Sequence, residues 1–128
     1  MMSVFLTFPV GAEPPHDDLS RRADSFLMLL DQGLYKDAWQ TMSALFQNLN
    51  DQDQWQRRQQ AIRTAYGVLS SRQIHLISER QSFTLSPDGR YVIVQFKTIY
   101  TNKANTAETV VFDCSTTPEC SIREYIIR

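Results

Sequence analysis

The sequence predicts an α+β domain in which three amino-terminal helices pack on a curved four-stranded antiparallel meander. Two observations carry this. As far as Gly67 the large apolar residues recur at steps of three, four and seven, the spacing of one face of a helix. From Arg72 onward the period drops to two, and short turn-forming sequences separate the runs, which leaves no room for the crossover helices of a parallel sheet.

The stretch Gly33 to Phe46 is the predicted organising helix. Tyr35, Ala38, Trp39, Met42, Leu45 and Phe46 line one side, and Lys36, Asp37, Gln40 and Ser43 point away. Before it, His16-Asp17-Asp18 opens a helix whose Leu19, Ala23, Phe26, Leu27 and Leu30 repeat at helical spacing until Gly33 closes it. So short a connection predicts an antiparallel hairpin with a seam of Phe26, Leu30, Trp39 and Met42. Asp51 then caps a third helix bearing Trp55, Ile62 and Tyr66 on one side, which ends at Gly67. With few bulky apolar groups and many glutamines, it is expected to be the most solvated of the three.

Four strands follow. The first is predicted over 73–85, with a phase slip that calls for a bulge near Ser78. Ser86-Pro87-Asp88-Gly89 turns the chain into the second strand, 90–100, with Val92, Val94 and Phe96 toward the helices. The third covers 106–114 and the fourth 121–128. Trp39, Phe46 and Phe96 are the expected structural core. The domain is assigned to residues 17–128, and residues 1–16 to a tail.

With 128 residues, 42% hydrophobic and 21% charged, and a formal charge of -1, one core is expected. Thirteen Lys and Arg balanced by fourteen acids leave no basic field, so nucleic acid is not an expected partner. The first fifteen residues read as the second half of a secretory signal without its basic start. A start placed too far downstream accounts for that, and so does the lack of a signal. The segment is too short to span a bilayer.

Cys114 and Cys120 lie six residues apart at a turn between two strands. The only histidines, His16 and His75, are remote, so a disulfide is favoured over a metal site, and with it a periplasmic or secreted address.

The runs G-L-Y-K-D-A-W from Gly33, P-D-G-R-Y-V-I-V-Q-F-K-T from Pro87 and E-T-V from Glu108, with Ser43, Phe46, Trp55, Arg63, Gly67 and Arg72 between, resemble domain-of-unknown-function family 4019. The resemblance implies an exported bacterial protein of cystatin-like or nuclear-transport-factor-two-like build, and no activity. The chain departs from the family pattern at Ser121–Tyr125, where a tryptophan and a glycine are expected, and in the Cys114–Cys120 insert.

No phosphate loop, nucleophile elbow or metal cluster appears, and no cofactor is expected. His75, Glu79 and Glu108 are ionisable groups within strands. The bland reading places His75 and Glu79 outward and pairs Glu108 with Lys97 or Lys103. Trp39 and Trp55 read as core before they read as stacking platforms. Arg63 and Arg72 bracket the helix-to-strand junction, where anchoring carbonyls or pairing with an acid is favoured over binding an anion. Tyr91, Ile93 and Ile99, on the far face of the second strand, are expected to form a homodimer contact. The functional expectation is a non-catalytic binding or accessory module that self-associates. The alternative is a pocket-bearing isomerase or dehydratase, or a small-ligand carrier.

Overall fold

A computed structural model describes residues 17–83, 86–116 and 119–128. The tail expected at 1–16, its signal remnant and Leu85 lie outside them. The elements in order are α1 (Asp17–Asp31), α2 (Tyr35–Gln40), α3 (Ala44–Leu49), α4 (Gln52–Tyr66), β1 (Leu69–Arg80), β2 (Tyr91–Tyr100), β3 (Lys103–Asp113) and β4 (Ser121–Ile127). The class is α+β, and the sheet is antiparallel with spatial order β1-β2-β3-β4, as a meander requires.

The organising helix is not continuous, and among the described residues the helices number four rather than three. The chain breaks at Thr41–Ser43, where the Ser43 amide donates to the Ile122 carbonyl at 2.8 Å and Met42 bridges to Ile122 of β4. The broken ends are satisfied locally. Ser43 Oγ accepts from the Phe46 amide at 3.1 Å and caps α3. Gln47 Nε2 lies within donating distance of the carbonyls of Trp39, Gln40 and Met42 around the end of α2, and the Trp39 carbonyl also accepts from the Met42 amide at 3.1 Å. The break rotates Leu45 off the apolar stripe, leaving it 46% exposed, while Met42 and Phe46 stay buried.

The other helix boundaries follow their signals. At Gly33, with φ +76°, the amide of Leu34 reaches back to the Leu29 carbonyl and that of Gly33 to Leu30, a Schellman closure. Asp51 accepts from the Gln54 amide at 3.0 Å to start α4, which buries only Trp55 and Gln59. Gly67, with φ +88°, ends α4 where an added Cβ would strike Thr101 Oγ1.

One apolar cluster joins Leu19, Phe26, Leu27 and Leu30 of α1, Ala38, Met42, Phe46 and Trp55 to Val92, Val94, Phe96, Val110, Phe112, Ile122 and Tyr125 of the sheet. Phe46 and Phe96 are buried within it. Trp39 is half-buried at the margin of that cluster, its indole Nε1 donating to the Asn50 carbonyl at 3.0 Å.

The irregularity of β1 lies elsewhere than at Ser78. Register shifts occur between Leu69 and Ser71 and between Ile74 and Leu76, so His75 is the extra residue of a bulge. Before the bulge Ile74 pairs with Phe96; after it Leu76 pairs with Gln95 and Ile77 with Val94. This accounts for the change of phase in the sequence. The bulge turns Leu76 to the outer face of the sheet and Ile77 to the inner one.

The outer face has a cover of its own. Tyr91, Ile93 and Val111 form a second cluster, with Phe83 from the β1–β2 connection packed on it. Tyr91 and Ile93 are therefore 2% and 8% exposed within a single chain, whereas Ile99 is 45% exposed. Cys114 and Cys120 form a disulfide, with Cα atoms 4.3 Å apart. The β1–β2 connection rests against that turn: the Arg90 amide donates to Ser115 Oγ at 2.9 Å, and the Cys114 amide to the Arg90 carbonyl at 2.8 Å.

Candidate functional site

The strongest concentration of chemistry lies at one end of the inner sheet face. Period-two alternation along β3 puts Glu108 in line with Val110 and Phe112, and it is fully buried. A bare carboxylate there would be prohibitive. Its Oε1 accepts from Arg72 Nε at 2.8 Å and Thr98 Oγ1 at 2.7 Å. Its Oε2 accepts from Tyr125 Oη at 2.6 Å, Tyr100 Oη at 3.1 Å and Arg63 Nη2 at 3.3 Å.

A second acid completes the group. Asp31, at the carboxyl end of α1, takes Arg63 Nη1 at 2.6 Å and both terminal nitrogens of Arg72 at 2.7 and 2.9 Å. Two guanidinium groups and two carboxylates thus neutralise one another. Burial alone would raise the Asp31 carboxyl, but the hydrogen bonds and charges of Arg72 and Arg63 outweigh it and hold the group below its usual range. Burial likewise opposes the charge of Arg72, and Asp31 and Glu108 more than restore it. Burial and the charge of Glu108 push the Tyr125 and Tyr100 hydroxyls up, so both stay protonated donors.

This is a closed network. Five donors saturate the roughly four lone-pair sites of the Glu108 carboxylate, leaving none for a substrate. The partners expected for Glu108, Lys97 and Lys103, are not its partners. Lys97 is exposed on the outer face, and Lys103 Nζ donates to the Asn105 carbonyl at 2.8 Å. Arg63 and Arg72 do pair with an acid, as the favoured reading had it. Glu79 is ion-paired with Arg90 at 3.0 Å near the surface, and His75 stands exposed on its bulge. The three ionisable strand residues are not brought together. Trp55 is buried edge-on against Phe46 and offers no stacking platform.

Asp31, Thr98, Tyr100 and Tyr125 were not legible as members of this group. One signal pointed to Asp31: an acid in the last turn of a helix opposes the helix dipole and requires a cation elsewhere.

An open groove of about 550 Å³ lies on the other side of the sheet, lined by Phe83 and Ile126, by Gln95 and Thr109, by Arg80 and Arg128, and by Ile93 and Val111, which Phe83 largely covers. Among the described residues no group of three or more His, Cys, Asp or Glu could hold a metal ion, and no helix is long and apolar enough to cross a membrane.

No curated protein and no solved structure matches this chain. The family described as protein of unknown function (DUF4019) matches residues 22–119, a span from α1 to the disulfide turn that holds Asp31, Arg63, Arg72 and Glu108, and the chain belongs to that family.

Proposed function

We propose that this protein is a non-catalytic binding or accessory module of an exported, oxidising compartment, and that it takes its partner on the outer face of the sheet. The carrying observation is the contrast between the two faces. The inner face closes on an apolar core and a carboxylate whose acceptor sites are all used. The outer face keeps an open groove lined by Phe83, Ile126, Gln95, Thr109 and two arginines. Isomerases and dehydratases of sheet-wrapped folds work by an ionisable group at the base of a cavity, and Glu108 has no cavity to serve. The Cys114–Cys120 disulfide supports a periplasmic or secreted address. Helical core residues gathered against an antiparallel meander support a cystatin-like or nuclear-transport-factor-two-like build.

Anilinonaphthalene sulfonate, an apolar anion, is the probe that tests this reading. Amide shifts on titration should cluster at Gln95, Thr109 and Val111. Shifts around Glu108, or none on the sheet, would overturn it. Self-association is the second reading, with Ile99 at 45% and Leu76 at 47% exposure as the apolar residues of the outer face left for another copy. Sedimentation at micromolar concentration, wild type against Ile99→Lys, checks it: a dimer lost in the variant supports the contact, and a wild-type monomer removes it.

A further inference from the structure

The geometry points to an elongated organic anion with an apolar middle and a carboxylate at each end as the ligand of the outer groove. This rests on the proposal that the outer face is the binding surface, and it names the ligand class.

Arg80 is the last residue of β1, paired with Tyr91, while Arg128 follows β4 and exchanges backbone hydrogen bonds with Ala107 at 2.8 and 3.0 Å. Both line the groove. They stand on opposite edges of the sheet and at opposite ends of its strands, so the groove crosses the sheet diagonally between them. Edge to edge the separation is three strand intervals, about 14 Å, before the length along the strands is added.

Between the two arginines the accessible apolar floor is Phe83 toward Arg80 and Ile126 toward Arg128, since Ile93 and Val111 are buried with Phe83 packed on them. Gln95 and Thr109, which share a hydrogen bond of 3.5 Å, lie between. Among the described residues neither guanidinium makes an ion pair or a side-chain hydrogen bond, unlike Arg63, Arg72 and Arg90. Lys97, in register with Ala107, is on the same face but outside the groove lining. The acids on this face, Asp113 and Glu124, are outside the groove lining.

Charge complementarity therefore asks for one anion per end, and the floor asks for methylenes between them. An uncharged apolar ligand would leave both arginines unused, and a short dianion could not reach them. Guanidinium groups suit carboxylates because their forked donors meet both oxygens at once.

The test is a titration of the full chain, followed by backbone amide shifts, with dodecanedioate, dodecanoate and succinate. Dodecanedioate should shift Gln95, Thr109 and the amides beside Arg80 and Arg128. Dodecanoate should bind about tenfold more weakly, as should dodecanedioate to Arg80→Gln or Arg128→Gln, since each loses one charge-assisted contact. Succinate should leave the groove unshifted. Both arginines are exposed, and the unshifted remainder of each variant's spectrum verifies its fold. Equal affinity for dodecanoate, or arginine variants that bind as wild type, would overturn the two-ended anion. If dodecanedioate fails while anilinonaphthalene sulfonate still shifts the outer face, the ligand class falls and the binding surface stands. If neither shifts that face, both fall.

Discussion

The hydroxyl of Tyr125 donates to Glu108 Oε2 at 2.6 Å, tying β4 to β3 across a carboxylate that no solvent reaches. Glu108 also receives Arg72 from β1, Thr98 and Tyr100 from β2 and Arg63 from α4, so β1, β2, β3, β4 and α4 meet at one side chain. Removing that charge is expected to leave two arginines facing Asp31 alone. Glu108→Gln should cost about 3 kcal/mol in urea unfolding, within the range for breaking a buried ion pair, and Tyr125→Phe about 2 kcal/mol. A Gln variant as stable as wild type would show that the network is not structural.

Stability should fall at both ends of the pH range, for opposite reasons. Asp31 has a folded pKa below its ordinary value of 3.8, so its contribution is present above that value and is lost as pH falls through the lower folded one. Tyr125 is raised above 10.0 by burial and by Glu108, so its contribution is complete below 10.0 and is lost as pH rises toward the folded value. Glu124, raised above 4.5 by burial, acts the other way on the acid side: stability increases as pH falls toward 4.5, before Asp31 reverses the trend. Urea midpoints across pH check the sequence. A Tyr125→Phe variant with an unchanged alkaline limb would disprove the tyrosine assignment.

Trp39 combines partial burial with one hydrogen bond to the Asn50 carbonyl. Trp39→Phe should lose about 1 kcal/mol, the worth of that bond, while Trp39→Ala should lose about 2 kcal/mol, less than a fully buried aromatic. Equal losses in the two variants would show that the indole N–H, not packing, holds the residue, and an unaffected Phe variant would show the reverse.

The disulfide closes a short loop, and the chain-entropy relation gives about 2 kcal/mol for it. Replacing both Cys114 and Cys120 by Ser should lower stability by that amount. It should also speed hydrogen exchange at the Arg90 amide, whose acceptor Ser115 belongs to the same turn. Unchanged exchange at Arg90 would mean that the two hairpin ends are held independently.

Strand order, the β2 hairpin and the helix caps were legible because each depends on local chemistry, as at Gly33, Asp51 and Pro87. The break at Thr41–Ser43 was not, since its cause is a carbonyl on Ile122, some eighty positions away. The helical stripe through Met42 continues unbroken in the sequence. Alternation did place Ile93 opposite Val92 on β2, yet its cover, Phe83, comes from a connection whose path no period describes. The Glu108 group shows the same limit. Phase along β3 turns its side chain inward, but its partners come from α4, β1, β2 and β4, and those meet only once the sheet is formed.

The Ser43–Ile122 joint sets which substitutions the junction of helices and sheet can tolerate. The joint itself is main chain, an amide and a carbonyl, whereas the side chains around it serve other ends: Ser43 Oγ caps α3, and Met42 and Ile122 fill the core. Proline at position 43 has no hydrogen to give. A saturation library at Ser43 should therefore lose proline first, and should keep the cap-forming residues threonine, aspartate and asparagine ahead of the rest.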